Sequence, residues 1–329
     1  MHQRPSRSNW PYCDSTYPDD FSGEKDSCGV GFIASVEGKQ NHWVLSQALR
    51  GLSCMEHRGG CGGDGDSGDG AGILCEIPWS YLNQVWETAK QCEPQSSGIG
   101  MIFMPKDLKN RKIAKKICEQ EAELLGITSK GWRDVPVHEE VLGKLARENE
   151  PFITQWIVDI KDKEINLEAL LFRLRQRISN RANIELKEDE LGLYICSLSS
   201  KTIVYKGMVR SEILAPFYND LEDDRFEVSY AVYHRRFSTN TLPKWPLAQP
   251  MRLLGHNGEI NTLLGNINWA KATETDISSV WKENTNDLKP IVNNVFSDSA
   301  NLDLTLELLV RSGRPVSYTH LTLPTSDLV

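Results

Sequence analysis

Asp26-Ser27-Cys28-Gly29-Val30-Gly31-Phe32-Ile33-Ala34 is the stretch on which the reading of this chain turns. A polar leader ends there and an apolar run punctuated by glycine begins, the pattern of a buried strand over residues 28–35. The first residue of that strand is a cysteine. Within a strand, cysteine ordinarily serves as a small apolar filler. At the start of one, behind a dispensable leader, it has a second use. Cleavage between Ser27 and Cys28 would leave a thiol and a free α-amine on one residue, a nucleophile carrying its own base. Residues 1–27 have no apolar segment of the kind a secretory signal needs. Their acids (Asp14, Asp19, Asp20, Glu24, Asp26) argue against a transit peptide. They read as a leader, with an ordinary frayed terminus as the alternative.

Working outward, residues 42–56 place Val44, Leu45, Ala48, Leu49, Leu52 and Met55 at helical spacing, so a helix packs on the first strand. Residues 59–72 then hold eight glycines and three aspartates. Such a loop needs left-handed backbone or close approach to something. A phosphate cradle lacks the following Gly-Lys-Ser/Thr, and Asp64, Asp66 and Asp69 would repel the anion. A calcium loop has a different acidic spacing. A tight return to a strand at 73–78 is the remaining plain reading. Helices are expected at 79–90, 107–125 (stopped by Gly126), 166–180, 261–272 and 301–309, and strands at 98–104, 152–160 and 226–234. Residues 191–198 and 202–205 read as a hairpin. The region 100–225 shows an α/β pattern without obvious chemistry. Asn257-Gly258 is a strong turn signal.

The 329 residues suffice for one large domain or two ordinary ones, and 40% hydrophobic with 25% charged residues is ordinary for a globular protein. A net charge of -8 argues against a nucleic-acid partner, since phosphate binding wants clustered Lys and Arg. No apolar run approaches 18 residues, so no membrane partner is expected. The eight cysteines, without a secretion signal, read as free thiols in a reducing compartment, the cytoplasm. Cys118 and Cys196 lie in helical and strand patterns and read as core. Cys54-x6-Cys61 with His57 between fits no standard zinc spacing.

Five blocks in order over about 275 residues carry a resemblance: Cys28-Gly-Val-Gly-Phe-Ile-Ala; Met55-Glu-His-Arg-Gly-Gly60 with Gly68-Asp-Gly-Ala-Gly72; His234-Arg-Arg-Phe-Ser-Thr-Asn-Thr241; Leu254-Gly-His-Asn-Gly-Glu-Ile-Asn261; and Phe296-Ser-Asp-Ser-Ala-Asn301. Together they resemble the class II, N-terminal-nucleophile glutamine amidotransferase domain of glutamate synthases, with the ferredoxin-dependent type nearest. The resemblance implies an α+β fold, a four-layer αββα sandwich of the N-terminal-nucleophile hydrolase type. It implies a propeptide at 1–27 and an amidotransferase domain over 28–315. Residues 316–329 do not match and read as a foreign tail on a domain incomplete at its C-terminal end.

The implied reaction hydrolyses L-glutamine through a thioester on Cys28, whose freed α-amine acts as base. A model α-amine has a pKa of about 7.7–8, close to working pH. A Cys–His pairing with His57, His234 or His256 is the fallback. By resemblance, Asn257 and the Gly258 N–H hold the oxyanion, Arg236 with Thr239 takes the substrate carboxylate, and Asp298 takes its ammonium. From the residues alone, Asp298 reads rather as a helix cap before the 301–309 helix. Arg58 would shape the pocket, against a plain surface ion pair, and Arg235 would be outward or structural. No cofactor or metal is expected in this chain. FMN, an iron–sulfur cluster, ferredoxin and a synthase region that consumes the ammonia are implied for the whole family protein, in the plastid stroma if the source is a plant or alga. Alternatives are another class II amidotransferase, serving purine or amino-sugar synthesis, and a non-catalytic regulatory domain of the same fold.

Overall fold

The computed structural model describes residues 29–55, 60, 62–161, 166–186, 192–235, 243–256, 263–274, 281–293 and 296–313. Its strands among these are β1 (Val30–Ala34), β2 (Ala71–Glu76), β3 (Ser97–Met104), β4 (Thr128–Asp134), β5 (Phe152–Asp159), β6 (Tyr194–Ser199), β7 (Thr202–Gly207) and β8 (Tyr230–Arg235). They form two four-stranded antiparallel sheets, β1-β8-β2-β7 and β4-β5-β3-β6. The helices are α1 (His42–Cys54), α2 (Trp79–Val85), α3 (Leu108–Leu124), α4 (Lys144–Glu148), α5 (Leu167–Glu185), α6 (Leu214–Phe217), α7 (Asn219–Glu222), α8 (Leu263–Thr273) and α9 (Asp298–Arg311).

The two-residue period of β3 shows why the sheets stack. Ile99, Met101 and Phe103 enter a core shared with Ile73, Ile203 and Tyr205 of the first sheet. Ile102 and Met104 point the other way, onto Ala114, Ile117 and Cys118 of α3 and Leu171, Leu174 and Ile178 of α5. On the first sheet, α1 packs along β8 and β1 and buries Val44, Leu45, Ala48 and Leu52, with the Asn41 side chain accepting from Val44 N at 3.0 Å as its cap. Helix, sheet, sheet, helix is the four-layer αββα sandwich, as the resemblance implies. Close approach fixes one glycine: a Cβ on Gly31 would lie 2.5 Å from the Tyr233 ring across the β1–β8 pair.

Three expectations need correction. The described residues of the hairpin expected over 191–205 do not form one: β6 pairs with β3 in one sheet and β7 with β2 in the other. The chain turns a corner between sheets, where Ser199 Oγ accepts from Lys201 N (3.0 Å) and Thr202 N (3.2 Å), and Glu168 accepts from Ser199 and Ser200. The helix expected at 79–90 stops at Val85, because Trp86 adopts extended backbone (φ -137°, ψ 108°) and turns into the core. The strand at 226–234 is confined to Tyr230–Arg235; Phe226 is buried against Tyr81 without joining the ladder. Strand β4 is not legible in the sequence, since Thr-Ser-Lys-Gly-Trp-Arg-Asp shows no apolar alternation.

β4 carries a residue of a buried polar network that links the two sheets. Asp220, fully buried on α7, accepts from Arg133 Nη1 (2.8 Å) and Nη2 (2.7 Å), Tyr81 Oη (2.9 Å) and Tyr205 Oη (2.9 Å). Gln155 of β5 accepts from Arg133 (2.7 Å) and donates to Tyr205 Oη (2.8 Å), so the network spans both sheets. Removing one partner of a buried pair costs about 3–5 kcal/mol, because the other charge is left uncompensated. Asp220→Ala should therefore lower the melting temperature by roughly 6–15 °C. Thermal unfolding followed by circular dichroism checks this, and a shift under 2 °C would show the network to be energetically idle. No helix among the described residues is long and apolar enough to cross a membrane.

Candidate active site

Of the candidate residues, Asp298 lies within the described part of the chain, whereas Cys28, Arg58, Arg236, Thr239, Asn257 and Gly258 lie outside it. Their described chain neighbours nonetheless show what the fold gathers. Gly29, next to Cys28, accepts from Arg235 N at 2.6 Å through its carbonyl, and Val30 pairs with His234. Arg235, next to Arg236, is 1% exposed and donates through Nη1 to Asp69 and to the Gly70 carbonyl (3.1 Å) at the end of the glycine loop. Asp69 in turn accepts from Gly60 N at 2.9 Å. His256, next to Asn257, meets His234 through its carbonyl at 2.9 Å. Four signature blocks thus converge at one end of the first sheet, where β1 begins and β8 ends. Arg235 is structural and buried, which decides between the two readings of it.

The fifth block joins them through the 247–254 segment. Leu247, Met251 and Leu254 pack against Phe296 and Ala300. Arg252 donates to Asp303 of α9 (Nη1 to Oδ2, 3.1 Å) and to the Ile195 carbonyl (3.0 Å), and Leu253 N donates to Asp303 Oδ1 at 2.9 Å. Helix α9 begins three residues before the expected 301, and its cap is Ser297, whose Oγ accepts from Ala300 N at 3.2 Å. Asp298 is therefore not the cap. It is the first helical residue, 1% exposed, and its Oδ1 accepts from Ser299 N (2.6 Å) and Ser299 Oγ (3.1 Å). A carboxylate in the first helical turn is favoured by the positive end of the helix dipole. Its field reaches His256, where burial pushes the imidazole pKa down and Asp298 acts against that.

The glycine loop sends its three acids to three different partners. Asp64 accepts from Asp66 N (3.2 Å), Ser67 N (2.9 Å), Ser67 Oγ (2.6 Å) and, across the fold, Leu145 N (2.9 Å). These bonds, that from Leu145 foremost, hold its carboxyl well below the usual range. Asp66 pairs with Arg210 at 3.1 Å, and Asp69 with Arg235. A calcium site would require these carboxylates to converge, and they do not. A Cβ on Gly68 would lie 2.2 Å from the Val209 carbonyl carbon, so the loop needs glycine there for backbone-on-backbone contact.

Cys75, Cys118 and Cys196 are fully buried thiols. Burial pushes Cys196 up to about 12, and Cys75 and Cys118 well above the usual thiol range, so none is poised as a thiolate. Among the described residues, no three His, Cys, Asp or Glu side chains are placed to share a metal ion. The buried anchors Arg235, Asp69, Gln249 and Asp303 were not singled out as site residues from the sequence. Nothing in their spacing distinguishes them from polar residues of a surface.

The profile described as "Glutamine amidotransferases class-II" matches residues 28–325. "Ferredoxin-dependent glutamate synthase 2" of Synechocystis sp. is 50% identical over 308 residues, 92% of this chain and 19% of that protein. "Ferredoxin-dependent glutamate synthase 1, chloroplastic/mitochondrial" of Arabidopsis thaliana is 47% identical over 302 residues, 90% of this chain and 18% of that protein. "Ferredoxin-dependent glutamate synthase" of Pyropia yezoensis is 50% identical over 298 residues, 88% of this chain and 19% of that protein. The chain thus spans about a fifth of the length of these curated relatives.

Proposed function

The chain belongs to the class-II glutamine amidotransferases, and from that premise we propose that it performs the glutaminase half-reaction of a ferredoxin-dependent glutamate synthase. The Cys28 thiol passes its proton to its own α-amine and attacks the glutamine side-chain carbonyl. Asn257 and the Gly258 N–H hold the oxyanion as it forms. The bond to nitrogen breaks, ammonia leaves with the proton from the α-amine, and water hydrolyses the thioester to glutamate. Arg236, with Thr239, takes the substrate α-carboxylate in bidentate contact. Asp298 takes the α-ammonium, and Arg58 shapes the pocket. The ammonia would pass to 2-oxoglutarate in a synthase region of a longer protein, reduced by ferredoxin, the donor printed in the relatives' names. A flavin and an iron–sulfur cluster would belong to that region. The described residues offer no cluster ligand set.

One observation carries this reading: the described residues flanking Cys28, Arg236 and Asn257 are hydrogen-bonded or paired to one another, and the segment leading to Asn257 is anchored on the helix that begins with Asp298. The experiment combines two measurements on the full chain. Ammonia release from L-glutamine is followed, and the adduct of 6-diazo-5-oxo-L-norleucine, a glutamine-shaped electrophile, is located by peptide mass. The expected result is turnover and a single adduct on Cys28. Absence of both, or an adduct on another thiol, would overturn the proposal.

A further inference from the structure

The peptide that leads into Asn257 is held by two buried side chains from different parts of the fold. Gln249, 2% exposed, uses both ends of its amide on one residue: Oε1 accepts from His256 N at 3.2 Å, and Nε2 donates to the His256 carbonyl at 3.2 Å. The same carbonyl accepts from His234 Nε2 at 2.9 Å. A carbonyl can only accept, so Nε2 of His234 carries the proton. His234 is 1% exposed and lies on β8, the strand paired on one side with β1 at Val30 and on the other with β2 at Gly72. Its ring is thus fixed by a sheet interior, the most rigid support the fold offers. Gly255 stands against both Val30 and His234: a Cβ there would lie 3.4 Å from Val30 Cγ2 and 3.8 Å from His234 Cδ2. The His256 carbonyl carbon is bonded directly to the Asn257 nitrogen.

From these contacts we infer that Gln249 and His234 are positioning residues for glutamine hydrolysis, clamping the His256 carbonyl so that the Asn257-Gly258 donors start from a fixed peptide. The inference rests on the assignment of Asn257 and Gly258 as oxyanion donors. Three hydrogen bonds on one loop residue exceed what closing a turn requires. They come from a sheet interior and from the far end of the same loop, so they set the direction in which the chain leaves residue 256. Donor placement matters steeply in catalysis: an error near 1 Å can cost about 10²-fold in rate.

The test separates placement of donors from general folding. In the full chain, Gln249→Met and His234→Leu should each lower kcat for L-glutamine about 10–100-fold, with KM changed less than about threefold. His234→Gln, whose amide N–H can reach the same carbonyl, should recover most of the lost rate. Iodoacetamide alkylation of Cys28, a displacement at carbon that forms no oxyanion, should run at the parent rate in all three variants. Undiminished kcat in Gln249→Met and His234→Leu, with an active parent, would overturn the clamp alone. Alkylation falling in step with kcat would also overturn it, because the loss would then be of the site as a whole. A parent without thiol-dependent hydrolysis would remove the clamp together with the functional reading beneath it.

Discussion

Replacing Cys28 with alanine is expected to abolish glutamine hydrolysis, by at least about 10⁴-fold, and to leave residues 1–27 attached to the purified chain. Both outcomes have one cause. On the proposed mechanism the thiol that would attack glutamine is also the group that would attack the Ser27 carbonyl. The Ser27 acyl group then shifts from the Cys28 nitrogen to its sulfur, freeing the α-amine, and water hydrolyses the resulting thioester. The products are a leader ending in a Ser27 carboxylate and a chain beginning with a free α-amine. Alanine has no thiol, so neither bond exchange can begin. Intact mass of parent and variant, with ammonia release measured on the same samples, reads both steps. Leader loss in the alanine variant would assign the cleavage to another agent, and residual hydrolysis near the parent rate would end the Cys28 mechanism.

Asp298→Asn is expected to raise KM for L-glutamine by about 100-fold or more while changing kcat little. The carboxylate is 1% exposed, and Ser299 N and Oγ turn its Oδ1. Asparagine keeps that shape and an acceptor for Ser299, so the change removes charge with little else. A buried charge partner is worth about 2–5 kcal/mol when one side is removed, and each 1.4 kcal/mol is tenfold in affinity. On the proposed assignment the ammonium lies away from the reacting carbonyl and would be held equally in ground and transition states, so the loss should fall on KM. Glutaramate, which has the carboxylate and amide but no ammonium, supplies the control. The parent should prefer glutamine strongly and the variant only weakly. Unchanged KM and unchanged preference would take the ammonium away from Asp298 and leave it a helix-terminal acid.

How much of this was legible differs from residue to residue. The period of residues 42–56 gave α1, because its buried face is also its apolar face. β3 and β5 could be read for the same reason, lying between two cores and rich in apolar residues. β4 could not, because its partners there are polar: Arg133 faces Gln155 and Asp220 rather than a hydrophobic neighbour. The hairpin expected at 191–205 failed on another ground. A short gap between two apolar runs is the mark of a hairpin, but the same gap serves a corner between stacked sheets. Only the partner strands, β3 for one and β2 for the other, distinguish them.

The sequence by itself determined the chemistry on offer: the order of the five blocks, the cysteine behind a polar leader, the Asn-Gly pair and the acid at 298. These are local signals, carried by residue type and spacing. What only the tertiary structure decided is which polar residues are buried and against whom. Arg235 bolts the glycine loop to the end of β8, Asp303 anchors the segment that leads to His256, and Gln249 and His234 grip the peptide before Asn257. Their partners lie between 7 and 166 positions away along the chain. A hydrogen bond between distant residues leaves no period in a sequence, because its strength comes from burial that only folding creates.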